Sequence, residues 1–197
     1  MCPKVTLQYK MEIRKKIIQA AIECFSIAGF DRTRMDDIAE RAELSKGTLY
    51  LYFRNKEDLF YAICQNSITE LNDQMSKLFK RKEDFGSDAE KFYINFRRNS
   101  RKGDRVFMET VAESSRNPRL CRALFEHRIK IFQLVSKYLS QQVEKGYLRS
   151  NIEVDAISAG LVALYDGLTI NMLLGINESD NRRIWTETIR ALCAGIG

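Results

Sequence analysis

Apolar residues spaced three and four apart constrain this chain more than any other feature. Ile13, Ile17, Ala20, Ala21, Cys24, Phe25 and Ala28 form one stripe, the period of a helix buried along one face. Leu59, Ile63, Ile68, Leu71, Met75 and Leu78 repeat that spacing over about six turns. With only 2 Pro and 10 Gly in 197 residues, little interrupts such helices, and turn-dense all-β or linker-rich folds are disfavoured. The expected class is all-α, with about nine helices near 11–28, 34–42, 45–53, 56–80, 89–101, 104–115, 118–145, 153–174 and 182–194.

Composition narrows the partners. Hydrophobic residues make up 45% and charged residues 29%, an ordinary globular balance. The net charge of +6 suits a polyanion, although a mildly basic solvated surface would give the same figure. Five scattered cysteines with no CxxC and no Cys/His cluster give neither a disulfide framework nor a metal site. Reduced, mostly buried thiols are expected. The basic N-terminus is not followed by an apolar run, and no segment reads as a continuous membrane span. A soluble, cytoplasmic protein without membrane or cofactor is the expectation.

The segment from Gly29 to Lys56 is the most informative. Gly29 is a helix stop. Thr33 is the expected N-cap of a short second helix, with Asp36 and Asp37 favouring its positive end. Glu43-Leu44 then leads to Ser45, placed to cap a third short helix through Tyr52. Two short helices joined by three or four residues form a helix-turn-helix. Leu49 and Phe53 lie four apart on the expected core side, leaving Lys46, Thr48 and Tyr52 on the other.

AAIECFSIAGF, over residues 20–30, and DDIAERAELSKGTLYLYFRNKEDLF, over 36–60, resemble the TetR family of transcriptional regulators. The later EVDAISAGLVALYDGL resembles that family's dimerisation helix. The resemblance implies an N-terminal three-helix DNA-binding domain over residues 1–55. A helical ligand-binding and dimerisation domain would follow over 56–197. It also implies that Tyr50 and Lys56 grip phosphates.

The residues have a physical logic of their own. Ser45 and the free N–H groups beside it suit a phosphate, and Gly47 clears space for a sugar–phosphate strand. Lys46 can donate to guanine, and the Thr48 methyl can touch thymine. Each has a structural alternative: Tyr50 and Tyr52 as packing, Lys56 as an ordinary exposed lysine, Ser45 as a cap alone. Glu43 departs from the family's usual Gly and is strained if its φ is positive. Arg34 departs from the usual Ser or Thr; with Thr33 as cap it is free to reach a phosphate or minor groove. Lys4, Lys10, Arg14, Lys15 and Lys16 offer a further phosphate grip or a frayed tail.

One recognition helix reads too few base pairs, so a homodimer on a pseudo-palindromic operator is expected. The expected dimer stripes are Leu161, Leu164 and Leu168, then Trp185, Ile189 and Leu192. The resemblance implies a pocket for a small hydrophobic or amphipathic effector. Candidates are Phe96, Phe107, Met108, Val111, Phe125, Phe132, Tyr165, Thr169 and Met172, any of which could instead be plain core. Arg97, His127, Arg128, Asp166 and Asn171 are candidates for its polar end. As the only histidine, His127 has no imidazole partner for metal or catalysis. No nucleophile motif or nucleotide-binding loop marks an enzyme. The expected function is a ligand-released repressor; the rivals are an effector-independent architectural DNA binder and an enzyme built on a helical bundle.

Overall fold

The computed structural model describes residues 6–78 and 80–196, with all their side chains but those of 82, 86, 96, 98–102 and 196. Cys2, Lys4 and the side chain of Phe96 therefore lie outside the described residues. The elements are α1 (Leu7–Ala28), α2 (Met35–Arg41), α3 (Lys46–Tyr52), α4 (Lys56–Lys77), a single 3-10 turn (Lys82–Asp84), α5 (Phe85–Ser114), α6 (Pro118–Glu144), α7 (Val154–Leu173) and α8 (Glu178–Ile196). No strand occurs among the described residues. The all-α expectation holds.

Two compact units emerge: Met1–Asn66 with Lys102–Phe125, and Ser67–Arg101 with Glu126–Gly197. In the first, Ile17, Ala21 and Phe25 of α1, Ile38 of α2, Leu49 of α3 and Leu59 of α4 are completely buried in one cluster. Val106 and Leu120 close that cluster from α5 and α6. Phe25, Phe30 and Phe60 join in successive ring contacts at 5.1 and 6.0 Å. Gly29 ends α1 at φ 82, a conformation that excludes most side chains, and its N–H bonds the Phe25 carbonyl at 2.9 Å.

The second unit is organised around Trp185 of α8. Its indole N–H donates to the Ala89 carbonyl at 2.9 Å, and its ring stacks on Phe92 at 5.7 Å. Leu71, Met75, Leu168 and Ile189 complete that cluster. A smaller one gathers Phe85, Leu139 and Leu148.

Three expectations need correction. The helices expected at 89–101 and 104–115 are one helix, α5. Gly103 does not break it, because an interior glycine costs only about 0.5–1 kcal/mol, and packed residues such as Tyr93 and Val106 hold the helix on both sides of it. Thr33 is not the cap of α2. Its hydroxyl is buried and donates to the Cys24 and Gly29 carbonyls, at 3.3 and 2.7 Å, which closes the end of α1. Arg34 takes the N-cap position, and its backbone N–H donates to Asp37 Oδ2 at 2.8 Å.

The third correction concerns α7. By length and composition it is apolar enough to cross a membrane, with a mean hydropathy of 1.4 over its best 18-residue window, yet only 17% of that window is buried inside the chain. Val162, Leu168 and Thr169 face inward. Ala156, Ala159, Gly160, Ala163, Gly167 and Ile170 remain exposed on the other side. Burial on several faces, which the pattern implies, does not occur within one copy of the chain.

Candidate nucleic-acid interface

The turn between α2 and α3 is made by Glu43, the one described non-glycine residue with positive φ, at 52°. The sequence allowed for this strain. The carboxylate is directed to Lys16 of α1, with Oε2 2.8 Å from Nζ. That hydrogen bond and the lysine charge hold the Glu43 carboxyl below its ordinary pKa. The negative charge is thereby matched by a cation of the same unit.

Helix α3 follows from its cap. Ser45 Oγ accepts from the Thr48 N–H at 3.1 Å and lies 2.8 Å from Thr48 Oγ1. Leu49 is fully buried and Phe53 nearly so, which fixes the rotation of the helix. On the outer side, Lys46 Nζ meets Asp36 Oδ2 at 2.6 Å, an exposed pair of the kind that contributes roughly 0–1 kcal/mol. Gly47 is exposed, and a Cβ there would meet only Ser45 Oγ at 3.9 Å, so the fold does not itself require glycine. Tyr50 is 49% exposed, and Tyr52 packs half-buried against the core. The packing alternative thus describes Tyr52 in the free protein and not Tyr50.

Lys56 is not an ordinary exposed lysine. Its Nζ donates to the carbonyls of Phe30 and Asp31, each at 2.7 Å, and stands 4.9 Å from the Phe30 ring centre. It fastens the start of α4 to the loop after α1. Arg34 is exposed. Arg14 lies over the Phe53 ring at 5.3 Å, so α1 brings a cation to the C-terminal end of α3. Lys10 and Lys15 are exposed on α1. The sequence reading missed Leu51, which is 85% exposed on α3. Its offsets of three and four from Thr48 and Gly47 were the available signal.

In the second unit, buried Arg97 reaches the Tyr165 hydroxyl and Thr169 Oγ1, both at 3.4 Å. Arg128 pairs with Asp166, and Asn171 donates to Asn181 Oδ1 at 3.0 Å. His127 is buried, with Nε2 2.8 Å from Ser67 Oγ, a partner the sequence did not reveal. Phe132 and Met172 are half-buried here. Phe107 and Met108, half-buried, belong to the first unit, as do the exposed Val111 and Phe125. The expected dimer stripe is corrected at three of its six residues. Leu168, Trp185 and Ile189 are 2%, 6% and 9% exposed and serve one chain's core, while Leu161 and Leu164 are half-buried against the same cluster. Leu192 is half-buried. Among the described residues, no three His, Cys, Asp or Glu side chains are grouped to hold a metal.

Burial lowers the His127 pKa to about 4, with the nearby charges of Arg128 and Lys130 adding to the effect. The folded value lies below the ordinary 6.5, so the unfolded state binds the proton first as pH falls. The stability this contributes is fully present above about pH 6.5 and is lost progressively towards pH 4, by at most about 3 kcal/mol. Melting profiles of wild type and His127→Gln should therefore have different pH dependences across that window, the wild type being steeper. Parallel profiles would contradict it.

Residues 17–63 match the family described as "Bacterial regulatory proteins, tetR family", and residues 94–196 match the one described as "BetI-type transcriptional repressor, C-terminal". The chain is similar to the HTH-type transcriptional regulator YvdT of Bacillus subtilis, 42% identical over 71 residues, which is 36% of this chain and 37% of that protein. It thus spans little more than a third of that relative. It is 27% identical over 190 residues to the HTH-type transcriptional regulator UidR of Escherichia coli K12, covering 93% of this chain and 92% of that one. The fold is shared with the regulator FadR of Bacillus subtilis, solved in complex with stearoyl-CoA, at a TM-score of 0.74 and 19% identity over 93% of this chain and 99% of that one.

Proposed function

Because the chain belongs to the TetR family of transcriptional regulators, we propose that it binds a pseudo-palindromic duplex DNA operator as a homodimer, acting as a repressor in the cytoplasm that a small effector releases. The observation that carries this reading is the two-sided character of α3. One side is locked into the core by Leu49 and Phe53, and the opposite side stands exposed with Lys46, Gly47 and Tyr50. A helix held this way can enter a major groove without rearranging.

In this reading Lys46 exchanges Asp36 for a guanine edge, and Thr48 and Tyr52 border the same groove. Ser45, Tyr50 and Arg34 contact phosphates, and Gly47 permits close approach of the strand. Lys56 acts at one remove or from its own N–H, since its ammonium already holds two carbonyls. At matched salt, a duplex enriched by the protein from a randomised library should bind about a thousandfold or more tighter than random duplex. Equal affinities would overturn the operator reading in favour of an architectural role. Lys46→Ala should lose about 1–3 kcal/mol on the enriched duplex and far less on random DNA.

Dimerisation is assigned to the outer face of α7. A helix this apolar with so little of it buried in its own chain needs cover from outside. Gly160 and Gly167 have open space where a Cβ would stand, so nothing within one chain calls for them. A second copy packed along Ala156, Gly160, Ala163 and Gly167 gives both facts a reason. Ala163→Arg should convert the dimer into a folded monomer in sedimentation at micromolar concentration and weaken operator binding by at least tenfold. A variant that remains dimeric would rule this face out.

The proposed effector is small and amphipathic, bound within the second unit. Phe132 and Met172 offer apolar contact, while Tyr165, Thr169, His127, Arg128 and Asp166 offer polar contact to its other end. A ligand that prefers a conformer whose two reading heads no longer match the operator lowers operator affinity by that preference.

A further inference from the structure

We propose that Leu51 is a specificity-determining contact of this regulator, reading the 5-methyl group of a thymine in the major groove. The inference rests on the operator reading above and extends it to a residue which that reading does not use. Leu51 is 85% exposed, more than any other large hydrophobic side chain described. It shares the outer face of α3 with Gly47 and Thr48, one turn before it, while Leu49 and Phe53 point into the core. Tyr52 packs against the core, whereas Leu51 is not among the residues that do.

Nothing in the fold calls for leucine here, since alanine would propagate the helix as well. Leucine has no donor or acceptor and can satisfy neither a phosphate oxygen nor the polar edge of a base. The one apolar group that B-form DNA presents in its major groove is the thymine methyl. The surroundings favour nucleic acid over an apolar protein partner. Lys46 stands at the start of α3, Arg54 just beyond its end, and Arg14 lies over Phe53. Lys46 and Arg54 each hold a carboxylate, Asp36 and Asp58, in exposed pairs that a phosphate can replace, so the short helix that carries this apolar tip has a cation near either end for the DNA backbone.

The test uses the full-length protein and a duplex that it enriches from a randomised 40-base-pair library. Each thymine of the enriched core is replaced singly by deoxyuridine, which removes only the methyl group. Wild type should lose about fourfold in affinity at one thymine per half-site, the loss expected for one unburied methyl. Leu51→Ala should bind thymine and deoxyuridine duplexes equally at that position, whereas Leu51→Met, still apolar, should retain the preference. Melting curves should coincide for all three proteins, because the side chain is exposed. An enriched duplex insensitive to deoxyuridine at every thymine, or sensitivity that survives in Leu51→Ala, would overturn this contact alone. Failure to enrich any duplex would overturn the operator reading and the contact together. A fall in DNA-free self-association for Leu51→Ala would assign the residue to a protein interface instead.

Discussion

The burial of Leu49 and Phe53 is the constraint on which this reading head depends. A helix of seven residues is far too short to persist alone in water, because nucleation costs more than one or two turns of hydrogen bonds return. Helix α3 exists because its inner face completes a core shared with α1, α2 and α4, and because Ser45 and the Phe53 N–H, bonded to the Leu49 carbonyl, close its two ends. The same packing sets its rotation. Whatever is not buried there is presented outward, so the polar face and Leu51 are consequences of core geometry.

Electrostatics then makes the head ready without making it rigid. Lys46 and Lys16 each meet a carboxylate of their own unit, Asp36 and Glu43, in exposed pairs that add little stability. Such pairs hold the lysines in place and give way readily to a stronger anion. Lys56 differs. Its two carbonyl bonds and its seat against the Phe30 ring make it part of the scaffold that sets the start of α4.

Much of the head was legible because local chemistry and tertiary packing agree there. The stripe of α1, the stop at Gly29, the cap at Ser45 and the buried side of α3 each follow from spacing or from a capping residue. Thr33 misled because a hydroxyl near a helix start can cap that helix or close the preceding one, and sequence does not choose between them. Gly103 misled because a single glycine is tolerated inside a helix packed on both sides of it. Of the stripes expected to dimerise, Leu168, Trp185 and Ile189 are buried in the chain's own core, since periodicity shows that a face is buried and not what buries it. Leu51 was signalled only by its spacing from Gly47 and Thr48, which says nothing of its exposure, and the Ser67–His127 contact was out of reach altogether. The one is defined by what fails to cover it, the other by a neighbour 60 residues away.

In the proposed complex the outer face of α3 occupies the major groove in each half of a dimer. Methylation interference on the enriched duplex tests it most directly, because dimethyl sulfate modifies guanine N7 on the major-groove edge and adenine N3 on the minor-groove edge. Guanine methylation should block binding in two symmetric patches about one helical turn, or a whole number of turns, apart. Interference confined to adenine N3, or absent from guanine altogether, would contradict it.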